Sequence, residues 1–353
     1  MMQTQTPDRE FQFLFRPTIR CNLRCRYCYA ASLRESNEQT MSISEAYEAI
    51  DWMIAFCRQF DVRRVAILWH GGEPLLPGAD FMESVLDYAE KAFRKGGIAL
   101  FNQIQTNLLL VTRRHVDLFK RYFNGRIGFS WDYGSSMRVY SDGTNASEEV
   151  WQKALWCREQ GVLVGAICQI TSENWKCPVE LYRHFSVARV PFRLTPLFPG
   201  SMEAVLRSAE MAKAVADAWF EDPSPTVEIA NFSEIVEGLL TKKMYKCCAE
   251  PNCGRVLMVL SPGGRIYACS RDNGEKDVIG DFRSDDPEIV YRKRLAFTEV
   301  KLDEACAKCA YLPICNGGCP FHARTGWHDC ECAYNKALFS HLEGWLRKTG
   351  YDV

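Results

Sequence analysis

Three thiols in eight residues, Cys21-Asn22-Leu23-Arg24-Cys25-Arg26-Tyr27-Cys28, are the first chemical signal in this 353-residue chain. Their spacing, C-x3-C-x2-C, lets three irons of one iron–sulfur cluster be held together. A four-iron cluster ordinarily takes four thiolates, so a missing ligand leaves one iron open to a small molecule. The competing reading is structural zinc, which wants four Cys or His ligands, commonly in two C-x2-C pairs. The nearest further candidate, His70, lies beyond another predicted strand.

A second set is denser. Of 17 cysteines, three fall at 21–28 and ten between 247 and 332. The second set runs Cys247-x5-Cys253, then Cys269, then Cys306-x2-Cys309-x5-Cys315-x3-Cys319, with Cys330 and Cys332 beyond. Cys248 adjoins its opening, and Gly264, Gly317 and Gly318 stand between the thiols, which suits a chain folding tightly around a cluster. A zinc ribbon is the competing reading. Cys57, Cys157, Cys168 and Cys177 stand singly and read as small buried or partly buried hydrophobes. The first ten residues are polar and lack the apolar core of a signal peptide. A chain of this length without an export signal points to metal binding rather than disulfides, and to the cytoplasm.

The elements that must position these thiols follow from periodicity. Strands are predicted over 11–16, 64–69, 98–106, 127–131, 162–170 and 192–197, and helices over 44–60, 80–94, 112–123, 147–160, 179–188 and 202–220. Such alternation argues for a parallel sheet with helices outside it. Six units are too few to close an eight-fold barrel, so the expected fold is α/β, a partial (β/α)6 TIM-like barrel. Chemistry in such folds sits in loops after the strands. The cysteine loop, Gly71-Gly72-Glu73-Pro74, Gln105-Thr106-Asn107, Ser130, Asp132 and Gln169 all fall there and are expected at one mouth.

Two prolines in the 221–225 stretch mark a linker, and a helix is expected over 231–245. A hairpin is expected at 256–260 and 265–268 around Pro262-Gly263-Gly264, then a loop-rich stretch to Cys332, then a helix over 334–348. The expected domains are a barrel over 1–222, a linker and helix over 223–245, and a cysteine-rich domain over 246–353. A net charge of −1 gives no global field for nucleic acid or an anionic membrane, and no apolar run approaches the length of a bilayer span.

The cysteine loop with its aromatic before the third thiol, the Gly-Gly-Glu-Pro turn, Gln105-Thr106-Asn107 and Ser130 together resemble the radical S-adenosylmethionine superfamily. The cysteine run from 247 to 332 is similar to the C-terminal SPASM extension of peptide- and protein-maturing members. The resemblance covers roughly 11–340. It implies a 4Fe–4S cluster on Cys21, Cys25 and Cys28, whose open iron chelates S-adenosylmethionine. It implies two auxiliary 4Fe–4S clusters, one on Cys247, Cys253, Cys269 and Cys319, the other on Cys306, Cys309, Cys315 and Cys332. Cys332 is preferred to Cys330 because the residues after it resemble the helix that follows the family's last ligand.

The cofactor-binding residues implied are Tyr27, Gly71, Gly72, Glu73, Gln105, Asn107, Ser130, Asp132, Arg138, Ile167 and Gln169. Glu73 can accept hydrogen bonds from the methionine amino group, and the two glycines are expected to let backbone approach the ligand. Tyr27 suits either a cofactor ring or packing within the loop. Ser130 and Asp132 suit either ribose contact or the capping of a local turn. Arg138 suits the methionine carboxylate, with Arg16 and Arg20 as rivals and a solvated role as the alternative.

The implied activity is peptide maturation. A 5′-deoxyadenosyl radical takes a hydrogen atom from a residue of a ribosomally made precursor peptide, leading to an oxidative side-chain cross-link of cyclophane or thioether type. The implied partners are that peptide and an electron donor such as flavodoxin or ferredoxin, with no nucleic acid and no membrane. About ten residues precede the first strand, so no N-terminal leader-binding domain is expected. One alternative is an anaerobic sulfatase-maturating enzyme, which generates formylglycine. In those relatives an Asp serving as base follows the third cysteine of the first auxiliary cluster. Ser270 stands there in this chain, and Asp272, two residues on, is the candidate base, with a solvated loop carboxylate as the competing reading. A non-catalytic iron–sulfur electron carrier is the alternative from another class. A pure carrier has no need of an open iron.

Overall fold

The computed structural model describes residues 10–31, 40–197, 200–244, 256–272, 274–297, 299, 302 and 304–353. Cys247, Cys248 and Cys253 lie outside them. The chain divides into two compact units, one of 1–129, 138–164 and 254–298, the other of 130–137, 165–253 and 299–353.

Strands β1 (Glu10–Phe15), β2 (Arg64–Trp69), β3 (Ala99–Thr106), β4 (Arg126–Ser130), β5 (Leu163–Ile170) and β6 (Phe192–Pro196) alternate with helices α1 (Ile43–Gln59), α2 (Ala79–Lys95), α3 (Arg113–Tyr122), α4 (Ser147–Glu159), α5 (Pro178–Ala188) and α6 (Met202–Glu221). This is the α/β partial barrel that the alternation predicts.

In the first unit, β1 pairs parallel with β2, β2 with β3, and β3 with β4. The sequence explains why β1 is central. Phe11 and Phe13 pack on Phe56 of α1, and Phe15 packs on Trp69 of β2. Leu14, on the opposite face, joins Leu257, Val259 and Tyr267 in a second buried cluster. Both faces are apolar, as a covered parallel strand requires. Helix α1 begins at Ser42, whose hydroxyl accepts from the Glu45 N–H, and α3 at Thr112, which forms a capping box with His115.

The hairpin expected in the second cysteine region is present as β7 (Leu257–Leu260) and β8 (Arg265–Tyr267). Strand β7 pairs parallel with β1, Gln12 opposite Leu257 through Phe15 opposite Leu260, so it extends the barrel sheet. The loop-rich stretch expected beyond it holds more order. β9 (Val278–Asp281) pairs with β8, and α8 (Pro287–Ala296) starts at Asp286, whose carboxylate accepts from the Glu288 N–H. Phe11, Phe56 and Phe60 pack on Tyr291 of α8, so the segment is held by aromatic burial.

In the second unit β5 pairs parallel with β6. The unit also holds α7 (Ala230–Thr241), the short helices α9 (Glu304–Ala307), α10 (Leu312–Cys315) and α11 (Pro320–Thr325), and α12 (His328–Lys348). Helix α12 begins at His328, ahead of the expected 334, and so carries Cys330 and Cys332 in its first two turns. It lies against α6, where Phe220 stacks on Trp345 at 5.2 Å and one oxygen of Asp217 accepts from both His341 Nε2 and Trp345 Nε1 at 2.6 Å.

Candidate active site

Strands β1, β2 and β3 are neighbours, and their carboxyl ends bring three sequence motifs together in the first unit. The chain leaves β1 through buried Arg16, Pro17 and Thr18 and enters the cysteine loop. The loop closes locally, with the Cys28 N–H on the Cys25 carbonyl (3.1 Å) and the Leu23 N–H on Cys21 Sγ (3.4 Å). Burial pushes the Cys21 thiol up to about 12; the charges of Glu73, Cys25 and Cys28 add to this, and the Leu23 N–H opposes it. A ligating cysteine must lose that proton, so metal loading here is coupled to proton release.

The turn after β2 docks onto this loop through backbone hydrogen bonds. The Gly72 N–H donates to the Thr18 carbonyl (3.0 Å) and the Glu73 N–H to the Arg20 carbonyl (2.8 Å). Here the glycines have a further cause beside the expected one. A Cβ on Gly72 would stand 1.9 Å from the Arg20 carbonyl oxygen, and one on Gly71, at φ +138°, 2.3 Å from that of Thr18. What approaches closely is the backbone that enters the cysteine loop.

Glu73 is 1 % exposed. Its Oε1 accepts from the Leu75 N–H (3.1 Å) and the Thr106 hydroxyl (2.6 Å), and its Oε2 from the Asn107 N–H (2.8 Å). Burial nevertheless pushes its carboxyl up to about 7, against the pull of these three donors. Asn107 also reaches the cysteine loop, its Nδ2 donating to Asn22 Oδ1 at 2.7 Å and lying 3.9 Å from Cys21 Sγ. One residue, through its backbone and side-chain amides, therefore ties the carboxylate to the cysteine loop. Gln105 lies on β3 over Gly128, where a Cβ would meet its Oε1.

Arg138 is buried, not solvated. Its Nη1 lies 4.0 Å from Cys25 Sγ and its guanidinium 5.5 Å from the Tyr27 ring, so Tyr27 has a cation–π partner within the site. Of its rivals, Arg20 is exposed, and Arg16 is turned towards the second cysteine region. Arg16 donates through Nη2 to the Ser270 carbonyl and lies 5.6 Å from the Tyr267 ring. It also helps burial to push His70 down to about 4, a residue that accepts the Gly71 N–H on Nδ1.

Ser270 follows buried Cys269, and the Asp272 N–H donates to the Cys269 carbonyl (3.1 Å). Asp272 is 4 % exposed, which overturns the solvated-loop reading of that carboxylate.

The second unit places the remaining residues. Asp132 is buried and accepts the Gln169 N–H at 2.8 Å, so it caps backbone at the end of β5. The Trp131 N–H donates to the Ile167 carbonyl (3.0 Å), and the Asn174 side chain donates to the Gln169 carbonyl (2.9 Å). Ser130 closes β4.

The same unit contains a cavity of about 240 Å³ lined by Cys306, Cys309, Cys315 and Cys332, together with Gly317, Gly318, His328 and Glu331. The four thiols stand around a space. Among the described residues, no three His, Cys, Asp or Glu side chains meet closely enough to hold a single ion. Burial raises the Cys315 thiol to about 11, and the charges of Glu331 and Cys332 add to this. Cys330 is outside the lining, with its Sγ 3.8 Å from the Gly200 carbonyl. Cys319 is buried, and its N–H donates to Glu331 Oε2 (2.9 Å), which also lies 3.0 Å from His322 Nδ1. Sequence reasoning missed His328 and Glu331, and only their place beside Cys330 and Cys332 signalled them. The described cysteines are all free thiols, and no described helix is long and apolar enough to cross a membrane.

Residues 15–185 match the model of the Radical SAM superfamily. The chain thus carries a Radical SAM domain over those residues and is an enzyme of the radical S-adenosylmethionine class. It is 25% identical to the serine-type anaerobic sulfatase-maturating enzyme of Klebsiella aerogenes, over 97% of this chain and 88% of that protein. Its fold is similar to that of native anSMEcpe with bound S-adenosylmethionine, with a TM-score of 0.81 at 20% identity, covering 97% of this chain and 100% of that one. It is also similar to Streptococcus suis SuiB bound to S-adenosylmethionine, with a TM-score of 0.61 at 17% identity, covering 88% and 73%.

Proposed function

We propose that this enzyme oxidises a residue within a polypeptide, with one S-adenosylmethionine-binding 4Fe–4S cluster on Cys21, Cys25 and Cys28 and two auxiliary clusters held by the later cysteines. The observation that carries the auxiliary part is the cavity walled by Cys306, Cys309, Cys315 and Cys332, whose size and thiol donors suit a multi-atom cluster. Likeness over 97% of the chain to a sulfatase-maturating enzyme supports a polypeptide substrate, as do the peptide-bound structures of anSMEcpe and SuiB.

When bound, the first cluster and S-adenosylmethionine supply a 5′-deoxyadenosyl radical, which removes a hydrogen atom from substrate. The chain's own residues bind and orient. Glu73, held by Leu75, Thr106 and Asn107, offers a fixed carboxylate to the methionine amino group. Arg138 brings a buried positive charge for the methionine carboxylate. Gln105 and Tyr27 complete the cofactor's surroundings, and Ser130, Asp132, Ile167 and Gln169 are proposed for its adenosine end. Asp272, buried beside Cys269, is the candidate acceptor for the proton that leaves when the substrate radical is oxidised. The later cysteines would hold auxiliary clusters, which would supply an acceptor for the accompanying electron, and a flavodoxin- or ferredoxin-type protein is the proposed electron donor. A cytoplasmic setting keeps these thiols reduced.

Two products are in view. Likeness to sulfatase-maturating enzymes favours formylglycine, whereas Ser270 in place of their Asp counts against it and leaves a side-chain cross-link as the other product. The test is anaerobic turnover of the reconstituted enzyme with a Ser- or Cys-containing sulfatase peptide and with the short peptides encoded beside its gene. An aldehyde trapped by a hydrazide on the sulfatase peptide supports the first product. Loss of two hydrogens with an internal linkage in a neighbouring peptide supports the second. Failure to form 5′-deoxyadenosine under reduction overturns both and leaves an electron carrier.

A further inference from the structure

His328 is the one imidazole in the wall of the four-thiol cavity. Its Nε2 lies 3.7 Å from Cys306 Sγ, within reach of a hydrogen bond to sulfur. Its Nδ1 is buried and has no hydrogen-bond partner among the described residues. The ring is backed by the loop before Cys319, where a Cβ on Gly318 would stand 3.6 Å from His328 Cε1. Among the described residues the His328 ring therefore has one polar contact, and that contact is a cysteine of the proposed cluster.

Loading fixes the direction of that contact. A free Cys306 carries a proton on sulfur and can donate to an imidazole lone pair. A ligating Cys306 is a thiolate and only accepts. The loaded site therefore needs the tautomer with its proton on Nε2. That tautomer leaves Nδ1 as a lone pair, so no N–H is buried without an acceptor. The contact then becomes a charge-assisted N–H···S bond.

We infer that His328 is a positioning residue for the auxiliary cluster in this cavity, donating a hydrogen bond from Nε2 to Cys306 Sγ and holding the cluster's reduction potential up; the inference rests on the cluster assignment proposed above. The physical reason is charge. Reduction adds an electron that spreads onto the sulfurs, and a donor aimed at one of them stabilises the reduced state more than the oxidised one. A higher potential makes this cluster a better acceptor for the electron leaving the substrate radical. Glu331 works from the same wall in another way. Its carboxylate binds the Cys319 N–H and pairs with His322, which fixes the loop that backs the imidazole.

The test is an EPR-monitored redox titration of the reconstituted full-length chain, with Cys21, Cys25 and Cys28 replaced by Ala so that only auxiliary signals remain. A further Cys309→Ala variant identifies the signal that belongs to this cavity. His328→Phe is expected to keep the iron content and move that signal to lower potential. His328→Gln, which retains an N–H donor, is expected to return it towards the parent value. An unmoved potential in His328→Phe with iron retained overturns the inference and leaves the residue a structural one. Loss of this cluster's iron in both His328 variants also overturns it, because the imidazole would then be a ligand. If Cys309→Ala removes no iron, the cluster assignment itself fails, a result distinct from the other two.

Discussion

Replacing Glu73 by Gln separates the charge of this side chain from its shape. The carboxylate is buried with three donors on it, and a fourth, the methionine amino group, is proposed to complete its coordination. A hydrogen bond to a charged acceptor is worth about 1.5–3 kcal/mol net, so losing the charge should weaken S-adenosylmethionine binding roughly 10- to 100-fold. The Gln amide would also turn N–H donors towards the Asn107 N–H. The carboxyl is raised to about 7, so its ionised fraction falls from about nine-tenths to about one-tenth between pH 8 and pH 6. The ratio of wild-type to Glu73→Gln affinity should therefore be large at pH 8 and shrink by about tenfold at pH 6. Taking the ratio removes the titration of the ligand's own amine. Calorimetric titration of the reconstituted proteins at both pH values measures it. A ratio near one at pH 8, or one that does not change with pH, refutes the reasoning. The stability effect has the opposite sign. A carboxyl whose folded value is raised favours the folded state at low pH, and that contribution is lost as pH rises from 4.5 to about 7. Ionisation should cost the ligand-free protein on the order of 3 kcal/mol in all, about 2 kcal/mol of it between pH 5.5 and pH 8, seen as a lower denaturation midpoint at pH 8.

Gly72→Ala should detach the turn from the cysteine loop, because the added methyl meets the Arg20 carbonyl and cannot be relieved by a rotamer change; iron analysis should show about one four-iron cluster fewer per chain. Cys332→Ala should likewise lower the iron content by about four from an expected total of about twelve, whereas Cys330→Ala should leave it unchanged. Asp217→Ala removes the acceptor shared by His341 and Trp345 and should cost about 1–3 kcal/mol in a urea unfolding titration, with iron content kept.

The barrel was legible because its strands are short apolar runs bounded by turn residues. Strand β2 was found at its observed limits, Arg64–Trp69, with Gly71-Gly72 behind it. Helix α8 was missed although its signal was present, an Asp before Pro287 with Glu288 in the first turn. The first turns of α12 were missed because Asp329, Cys330, Glu331 and Cys332 break its apolar stripe, and what holds them is the cavity wall. The types and spacing of the site residues were readable, since Glu73, Asn107 and the three thiols all follow strands. The cause of the two glycines was not, because it lies in backbone packing between segments far apart in sequence. The hydrogen bond from Asn107 to Asn22 and the burial of Asp272 and Glu331 depend on tertiary contacts in the same way.

Strand β1 lies between β2 and β7, so its two neighbours come from opposite ends of the sequence. This gives the order of synthesis a consequence. The cysteine loop leaves the ribosome before β7, attached to a strand whose second edge stays bare until Leu257–Leu260 have been made. A bare parallel edge is a template for wrong pairing, and closing so long a loop is slow. The thiols therefore gain this side of their frame only once β7 has been made. Removing β7 would reopen the same edge beside the cysteine loop, so the loop and the β7–β8 hairpin depend on one another although they stand far apart in sequence.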